Sequence, residues 1–166
     1  AKNSYGDITD KVVADFGCGC GTLSAAASLL DAGCVFGFDI DPQSLETTTL
    51  NADELEVEID FSKCDVTKLE LKGQVVDTVV MNPPFGTRKK GAAMEFLSAA
   101  MKVAFQAVYS FHKTSTREVS ILLNYLHLFS ICFCFLRYDL PKIYKFHKQK
   151  EVDISVDLWR FESRHD

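Results

Sequence analysis

The chain lacks the two-residue spacing of the common zinc pairs: Cys18-x-Cys20 and Cys132-x-Cys134 sit too close, and Cys34 and Cys64 stand alone. Its six cysteines therefore read as free thiols, and no metal site is expected. Nor is there an excess of positive charge. A net charge of -5 and a pI near 5.4 argue against a protein that coats nucleic acid through its bulk field. No basic, apolar, small-residue sequence opens the chain, so no secretory signal is read there and the expected compartment is intracellular and reducing. Internal repeats and interdomain linkers are also absent. With 166 residues, 47% of them hydrophobic and 25% charged, the expectation is one domain, 1–166, with a real core.

What is there alternates. Val12 to Phe16 is a short apolar run that predicts a buried strand. The glycines that follow lead to a helix over Thr22–Leu30 that stops near Gly33. Cys34 to Asp39 predicts the next strand; Asp41 and Pro42 then supply an N-cap and a first-turn proline for a helix reaching about Leu55. Glu58 to Cys64 reads as a third strand. Val75 to Met81 reads as a fourth, buried on both faces. Gly91 to Gln106 is expected to be helical, with Met94, Leu97, Met101 and Ala104 as its core stripe, before a fifth strand over Ala107 to Phe111. Near the end, Val152, Ile154, Val156 and Leu158 alternate with Asp153, Ser155 and Asp157, the pattern of a strand with one face on the core. Leu136 to Leu140 is its expected antiparallel partner. The fold class is α/β: a Rossmann-like, mostly parallel sheet closed by an antiparallel C-terminal strand pair.

Two loops carry chemistry. Asp15-x-Gly17-x-Gly19-x-Gly21 departs from the dinucleotide fingerprint, whose third glycine comes one residue later; here position 22 is Thr22. The spacing favours S-adenosylmethionine over a pyrophosphate cofactor. Glycines let the backbone approach a ligand, and amides around Cys20, Gly21 and Thr22 can meet its carboxylate. Asp15 is expected to hold the loop or meet the methionine amino group, Asp39 to accept from the ribose hydroxyls, and Asp65 to accept from the adenine amine. A lone aspartate at a strand end reads as a turn or an N-cap. Three at successive strand ends beside this loop read as cofactor ligands.

The second loop is Asn82-Pro83-Pro84-Phe85, directly after the fourth strand. An amine conjugated to a ring is a weak nucleophile because its lone pair is delocalised. The Asn82 side-chain oxygen and the Pro83 carbonyl can each accept one N–H and draw that nitrogen toward tetrahedral geometry. Two prolines stiffen the turn, and Phe85 can stack on the flat group. No general base is required, since the nitrogen becomes acidic as the new bond forms. Methyl transfer to an amino nitrogen is the expected reaction. Basic runs at Arg88-Lys89-Lys90 and over Lys142, Lys145, His147, Lys148 and Lys150 each read, taken alone, as solvated surface.

The chain resembles the methyltransferase-like protein five family, eukaryotic enzymes that methylate adenine N6 in small-subunit ribosomal RNA. The residues that carry the likeness are DFGCGCG (15–21), FGFDID (36–41), CDV (64–66), VVMNPPFGT (79–87), AVYSFHKTSTRE (107–118), LRYDLPKIYKFHK from 136, and VDISVDLWRF to 161. The NPPF turn is shared with other amino methyltransferases; the YKFHK and STRE segments are more specific. The resemblance implies cofactor contacts at Gly17, Cys20, Thr22, Asp39, Asp65 and Asn82, an amine site over Asn82 to Phe85, and an RNA-facing loop of Lys145, Phe146, His147 and Lys148. It also implies a seven-stranded sheet, a small zinc-containing activator subunit docked along the third strand at a sheet edge, and residence in nucleus and cytoplasm. Two other readings stand beside it: a glutamine-amide methyltransferase of release-factor type, whose amide nitrogen suits the same acceptors, and an inactive binding module of the same fold.

The chain departs from that family in two places. Family members carry a segment before the first strand with a Gln-Tyr-x-Thr stretch that closes over the cofactor, and this chain, starting at Ala1, does not contain it. Val119 to Leu136 holds no charge at all, and over Val119 to Phe135 of that run the family has a charged amphipathic helix leading into a strand. A membrane span needs about twenty apolar residues, and Asn124, His127 and two serines weaken that reading. Residues 119–135 are expected to be either unusually buried or foreign to the fold.

Overall fold

The computed structural model describes residues 5–69, 73–84, 91–113, 130–139 and 153–162. Within them run β1 (Val12–Phe16), α1 (Thr22–Leu29), β2 (Cys34–Asp39), α2 (Pro42–Glu54), β3 (Asp60–Lys63), β4 (Val76–Met81), α3 (Ala92–Val103), β5 (Ala104–Lys113), β6 (Ser130–Asp139) and β7 (Asp153–Glu162). They build one seven-stranded sheet in the order β3-β2-β1-β4-β5-β7-β6. β7 is antiparallel to both its neighbours, and the remaining pairs are parallel. This is the expected architecture, with β3 at one edge.

Handedness places the helices. From β1 the chain moves to β2 in one direction along the sheet, and from β4 it moves to β5 in the other. Right-handed crossovers therefore put α1 and α3 on opposite faces. Leu23, Ala27 and Leu30 from the α1 region pack with Val13, Val35 and Val80 on one face. Leu97, Ala100 and Val103 of α3 pack with Ala14, Phe16, Val79 and Met81 on the other. β1 and β4, covered on both sides, are apolar at nearly every position for that reason.

Several boundaries differ from the expected ones. β3 is shorter than Glu58–Cys64, because the chain leaving α2 is still closing that helix: the Val57 N–H donates to the Ala52 carbonyl at 3.0 Å, and Glu56 takes a positive φ of 54°. α3 ends at Val103 rather than Gln106 and passes straight into β5. The Val103 carbonyl is captured by the Val75 N–H at 2.8 Å, so the neighbouring strand takes an acceptor the helix would need. The buried stripe of α3 is Ala93, Leu97, Ala100 and Val103; Met94 and Met101 lie to its flank, and Ala104 is already strand. Small alanines on that stripe let the helix sit close on the sheet. In β7, Asp157 and Arg160 are buried along with Val156 and Phe161, so both faces of the strand are covered where one was expected to be solvated.

Of the uncharged run, residues 130–136 belong to β6 and 119–129 lie outside the described residues. No helix among the described residues is long and apolar enough to cross a membrane. Cys18, Cys20, Cys34 and Cys64 are free thiols.

A buried polar network fastens the segment before β1 to the middle of the sheet. Asp7 accepts from Arg160 Nε at 2.7 Å, from the Tyr109 hydroxyl at 2.7 Å and from Gln106 Nε2 at 2.7 Å. Its own carbonyl accepts from Thr78 Oγ1 at 2.6 Å. Arg160 also pairs with Glu162, and its guanidinium lies 4.4 Å from the centre of the Tyr5 ring. Asp7 is 2% exposed, so its charge is tolerated only because each carboxylate oxygen is answered. Asp7→Ala should lower stability by about 3–5 kcal/mol, by stranding the Arg160 charge. Urea denaturation checks this, and adding Arg160→Met to the same chain should recover part of the loss.

Candidate active site

In an open parallel sheet, ligands bind outside the carboxyl ends of the strands where the strand order reverses. Here the reversal lies between β1 and β4. Both chemical loops leave from that point: the glycine loop follows Phe16 of β1, and the Asn82 turn follows Met81 of β4, its register partner. Residues 65 positions apart in sequence are thereby neighbours.

The glycine loop is built from backbone bonds. The Gly17 and Cys18 N–H groups both donate to the Phe38 carbonyl, at 2.8 and 2.9 Å, and the Gly21 N–H closes a turn on the Cys18 carbonyl at 2.8 Å. Gly17, Gly19 and Gly21 all have positive φ. At Gly21, φ is 83° and a Cβ would stand 2.7 Å from Thr48 Cγ2, so both conformation and space require glycine there. α1 begins directly after it with no side-chain cap, leaving its first amides to the loop.

Each expected cofactor residue has a definite place. Asp15 is 1% exposed on β1; one oxygen accepts from Ser24 Oγ at 2.6 Å, and the other, Oδ1, is buried with no partner among the described residues. Burial pushes its carboxyl from 3.8 up to about 6, partly offset by the Ser24 hydroxyl and amide and reinforced by the nearby Asp39. Asp39, ending β2, accepts from the Gly19 N–H at 2.9 Å with Oδ2 and from the Asp41 N–H at 2.9 Å with Oδ1. Cys20 and Thr22 meet through Sγ and Oγ1 at 3.3 Å. The Cys18 thiol is pushed up to about 12, chiefly by burial and then by Asp15 and Asp39, which makes it inert.

Asp65 takes the capping role that a strand-end aspartate often takes. It is the N-cap of a short 3-10 turn, Val66–Lys68, where it accepts from the Thr67 N–H and hydroxyl and pairs with Lys68 at 2.9 Å. The Thr67 hydroxyl and then Lys68 hold its carboxyl down at about 2. Asn82 and Pro84 are exposed and Pro83 is buried, so the turn is rooted in the core while Asn82 lies at the surface. Phe85 and the segment Lys145, Phe146, His147 and Lys148 lie outside the described residues.

β5 continues past the end of β4. Ser110 pairs with Met81, so Phe111 and His112 lie alongside the Asn82 turn. His112 is buried, bonded to Ser110 Oγ through Nε2 at 2.8 Å, and burial pulls its imidazole down to about 4 despite Asp157 across the strand pair. Sequence reading missed four contacts to the loop: Ser24 on Asp15, Phe96 whose ring would stand 3.0 Å from a Cβ at Gly17, and Thr48 and Asn51 of α2. Thr48 donates to the Gly19 carbonyl, and Asn51 Nδ2 donates to the Cys20 carbonyl at 2.9 Å.

Comparison with known proteins fits this geometry. Residues 3–107 match a family model, the methyltransferase small domain. The rRNA N6-adenosine-methyltransferase METTL5 of Danio rerio is 48% identical over 163 residues, covering 96% of this chain and 79% of its own. The chain belongs to the METTL5 methyltransferase family. Its Drosophila melanogaster relative, rRNA N6-adenosine-methyltransferase Mettl5, is 44% identical over 97% of this chain and 78% of its own. A crystal structure of a candidate RNA methyltransferase from Pyrococcus horikoshii superposes with a TM-score of 0.78 at 32% identity, covering 95% of this chain and 77% of that one.

The strand leading into the glycine loop contains a proton-linked element. Because the native Asp15 carboxyl holds its proton more tightly than an unfolded one, its contribution is complete below about pH 4 and is lost as pH rises through about 6. The two-unit rise corresponds to about 3 kcal/mol. Asp15→Asn should remove this slope. Urea midpoints measured from pH 4 to 7 should show the variant gaining on the parent by roughly that amount, and no gain would refute the assignment.

Proposed function

We propose that the chain is an S-adenosylmethionine-dependent N6-adenine methyltransferase that acts on small-subunit ribosomal RNA. The observation that carries this reading is the meeting, at one reversal of strand order, of a glycine loop after β1 with an asparagine-proline turn after β4. S-adenosylmethionine supplies an electrophilic methyl group when bound. Its zwitterionic arm suits what the loop offers: the buried Asp15 Oδ1, with no described partner, for an ammonium group, and loop amides for a carboxylate. Asp39 keeps a second lone pair on each oxygen for the ribose hydroxyls. Asp65, already a cap, accepts two bonds on Oδ1 and pairs with Lys68 through Oδ2, which leaves one lone pair on Oδ2 for an adenine amine.

The chain's own part in the reaction is to bind and orient. Asn82 and the Pro83 carbonyl accept the two N–H bonds of the target amine, and the buried Pro83 fixes those acceptors beforehand. His112, held neutral by burial beside the turn, adds no positive charge to repel an incoming methyl cation equivalent. Phe85 stacks on the adenine, and Lys145, Phe146, His147 and Lys148 meet the RNA backbone. A negatively charged chain needs such a local basic loop to approach RNA.

The same reading includes a small zinc-containing activator subunit on the β3 edge, with the pair working in nucleus and cytoplasm. β3 ends the sheet on one side, and beside it a groove of about 450 Å³ is lined by Val35, Ala52, Val57, Ile59 and Phe61. An open strand edge, beside a groove where these apolar side chains alternate with Asp53, Glu58 and Asp60, suits strand addition by a second chain.

With radiolabelled cofactor, activator and small-subunit ribosomal RNA, label should enter adenine N6, and Asn82→Ala should reduce the rate by about 100-fold or more. Label appearing instead in a release-factor peptide would replace this reading with glutamine-amide methylation. Cofactor binding without transfer to either would leave a binding module.

A further inference from the structure

We propose that Thr48 and Asn51 of α2 are positioning residues that set the protein's affinity for the carboxylate end of its cofactor. The inference rests on the S-adenosylmethionine reading above and concerns how the loop comes to present a donor to that group.

Thr48 and Asn51 are three residues apart on a helix and so share a face. That face lies behind the glycine loop. The Thr48 hydroxyl donates to the Gly19 carbonyl, and Asn51 Nδ2 donates to the Cys20 carbonyl at 2.9 Å. Two successive peptide groups of the loop are thus gripped by their oxygens from the α2 side. A trans peptide is planar, with its N–H directed opposite to its C=O. Holding the Gly19 oxygen toward Thr48 therefore turns the Cys20 N–H away from α2.

Together with the uncapped first amides of α1, that amide is a donor left over. The Gly19 N–H is engaged by Asp39 Oδ2 at 2.9 Å and the Gly21 N–H by the Cys18 carbonyl at 2.8 Å, while no described residue accepts from Cys20 N–H. Its neighbours cannot substitute for it. Gly19 has a positive φ of 55° and Gly21 one of 83°, so both flanking residues can rotate widely unless something fixes the peptides between them. Thr48, 1% exposed, and packed so that a Cβ on Gly21 would lie 2.7 Å from its methyl, supplies that fixation. Asn51 supplies a second point on the next peptide. A donor oriented before binding loses less freedom when an anion arrives.

Neither side chain bonds directly to Asp39 or Asp65, the two carboxylates that the adenosine half of the cofactor would need. Asp39 is set by the Gly19 and Asp41 amides, and Asp65 by its own turn. The effect of Thr48 and Asn51 should accordingly fall on ligands that carry the amino-acid arm and spare those that do not. A merely structural role would weaken both kinds equally.

The test is calorimetric titration of the whole chain with S-adenosylmethionine and with methylthioadenosine, which lacks the amino-acid arm. Thr48→Val keeps the shape and removes the donor; Asn51→Ala removes the second donor from a more exposed position, and carries the test if Thr48→Val does not fold. Each should weaken S-adenosylmethionine about tenfold, the effect of one lost hydrogen bond to a carbonyl held in place, while methylthioadenosine and the KM for RNA stay within about twofold. Thr48→Ser, which restores the hydroxyl, should recover the affinity. Unchanged S-adenosylmethionine affinity in both variants, or an equal loss for methylthioadenosine, overturns the proposal alone. A parent chain that binds methylthioadenosine but gains nothing from the amino-acid arm also overturns it, and a parent chain that binds neither ligand overturns the functional reading with it.

Discussion

β1 and β4 are adjacent and parallel, yet the chain leaves them toward opposite edges of the sheet. Nothing else in the structure matters as much. Connections that diverge cannot fill the space between them, so a crevice opens above the two strands. Into that crevice come a loop rich in glycine and a turn rich in proline. The first can approach a ligand closely at its glycines, which carry no side chains, and the second holds its acceptors because its prolines stiffen it. Close backbone approach on one side and pre-set acceptors on the other are brought together by topology.

Two buried aspartates show how the same group is made to serve different ends. Asp7 is surrounded by Arg160, Tyr109 and Gln106, and its charge is neutralised and bonded throughout. It is a fastener. Asp15 is as deeply buried, has Ser24 on one oxygen, and keeps its other oxygen without a described partner, at the cost of a carboxyl that is harder to ionise. An interior acceptor left open is a cost to the fold, one that a cationic ligand would remove.

Much of this was legible in the sequence. The alternation of strand and helix and the two chemical loops rest on local signals: apolar runs, glycine and proline positions, and an Asp-Pro helix start at Asp41 and Pro42. What was not legible depends on contacts between distant segments. The end of α3 is set by a backbone bond from Val75, and no propensity within Ala104 to Gln106 announces it. Asp7 precedes the first strand in no recognisable pattern, and its partners lie about a hundred residues or more away. Thr48 and Asn51 look like ordinary polar residues on a solvated helix until the loop 29 and 31 positions earlier is seen against them. Asp65 shows the opposite case, since its visible motif and its observed bonding as an N-cap are separate facts.

α2 has a second side. Thr49 and Ala52 line the groove next to β3, each one residue removed from a side chain that grips the glycine loop. A body resting against the sheet edge and a small molecule lodged in the crevice would thus share a single helix as their common wall. Thermodynamic linkage then runs both ways: whichever arrives first restricts that helix, and the latecomer finds part of the ordering entropy already removed.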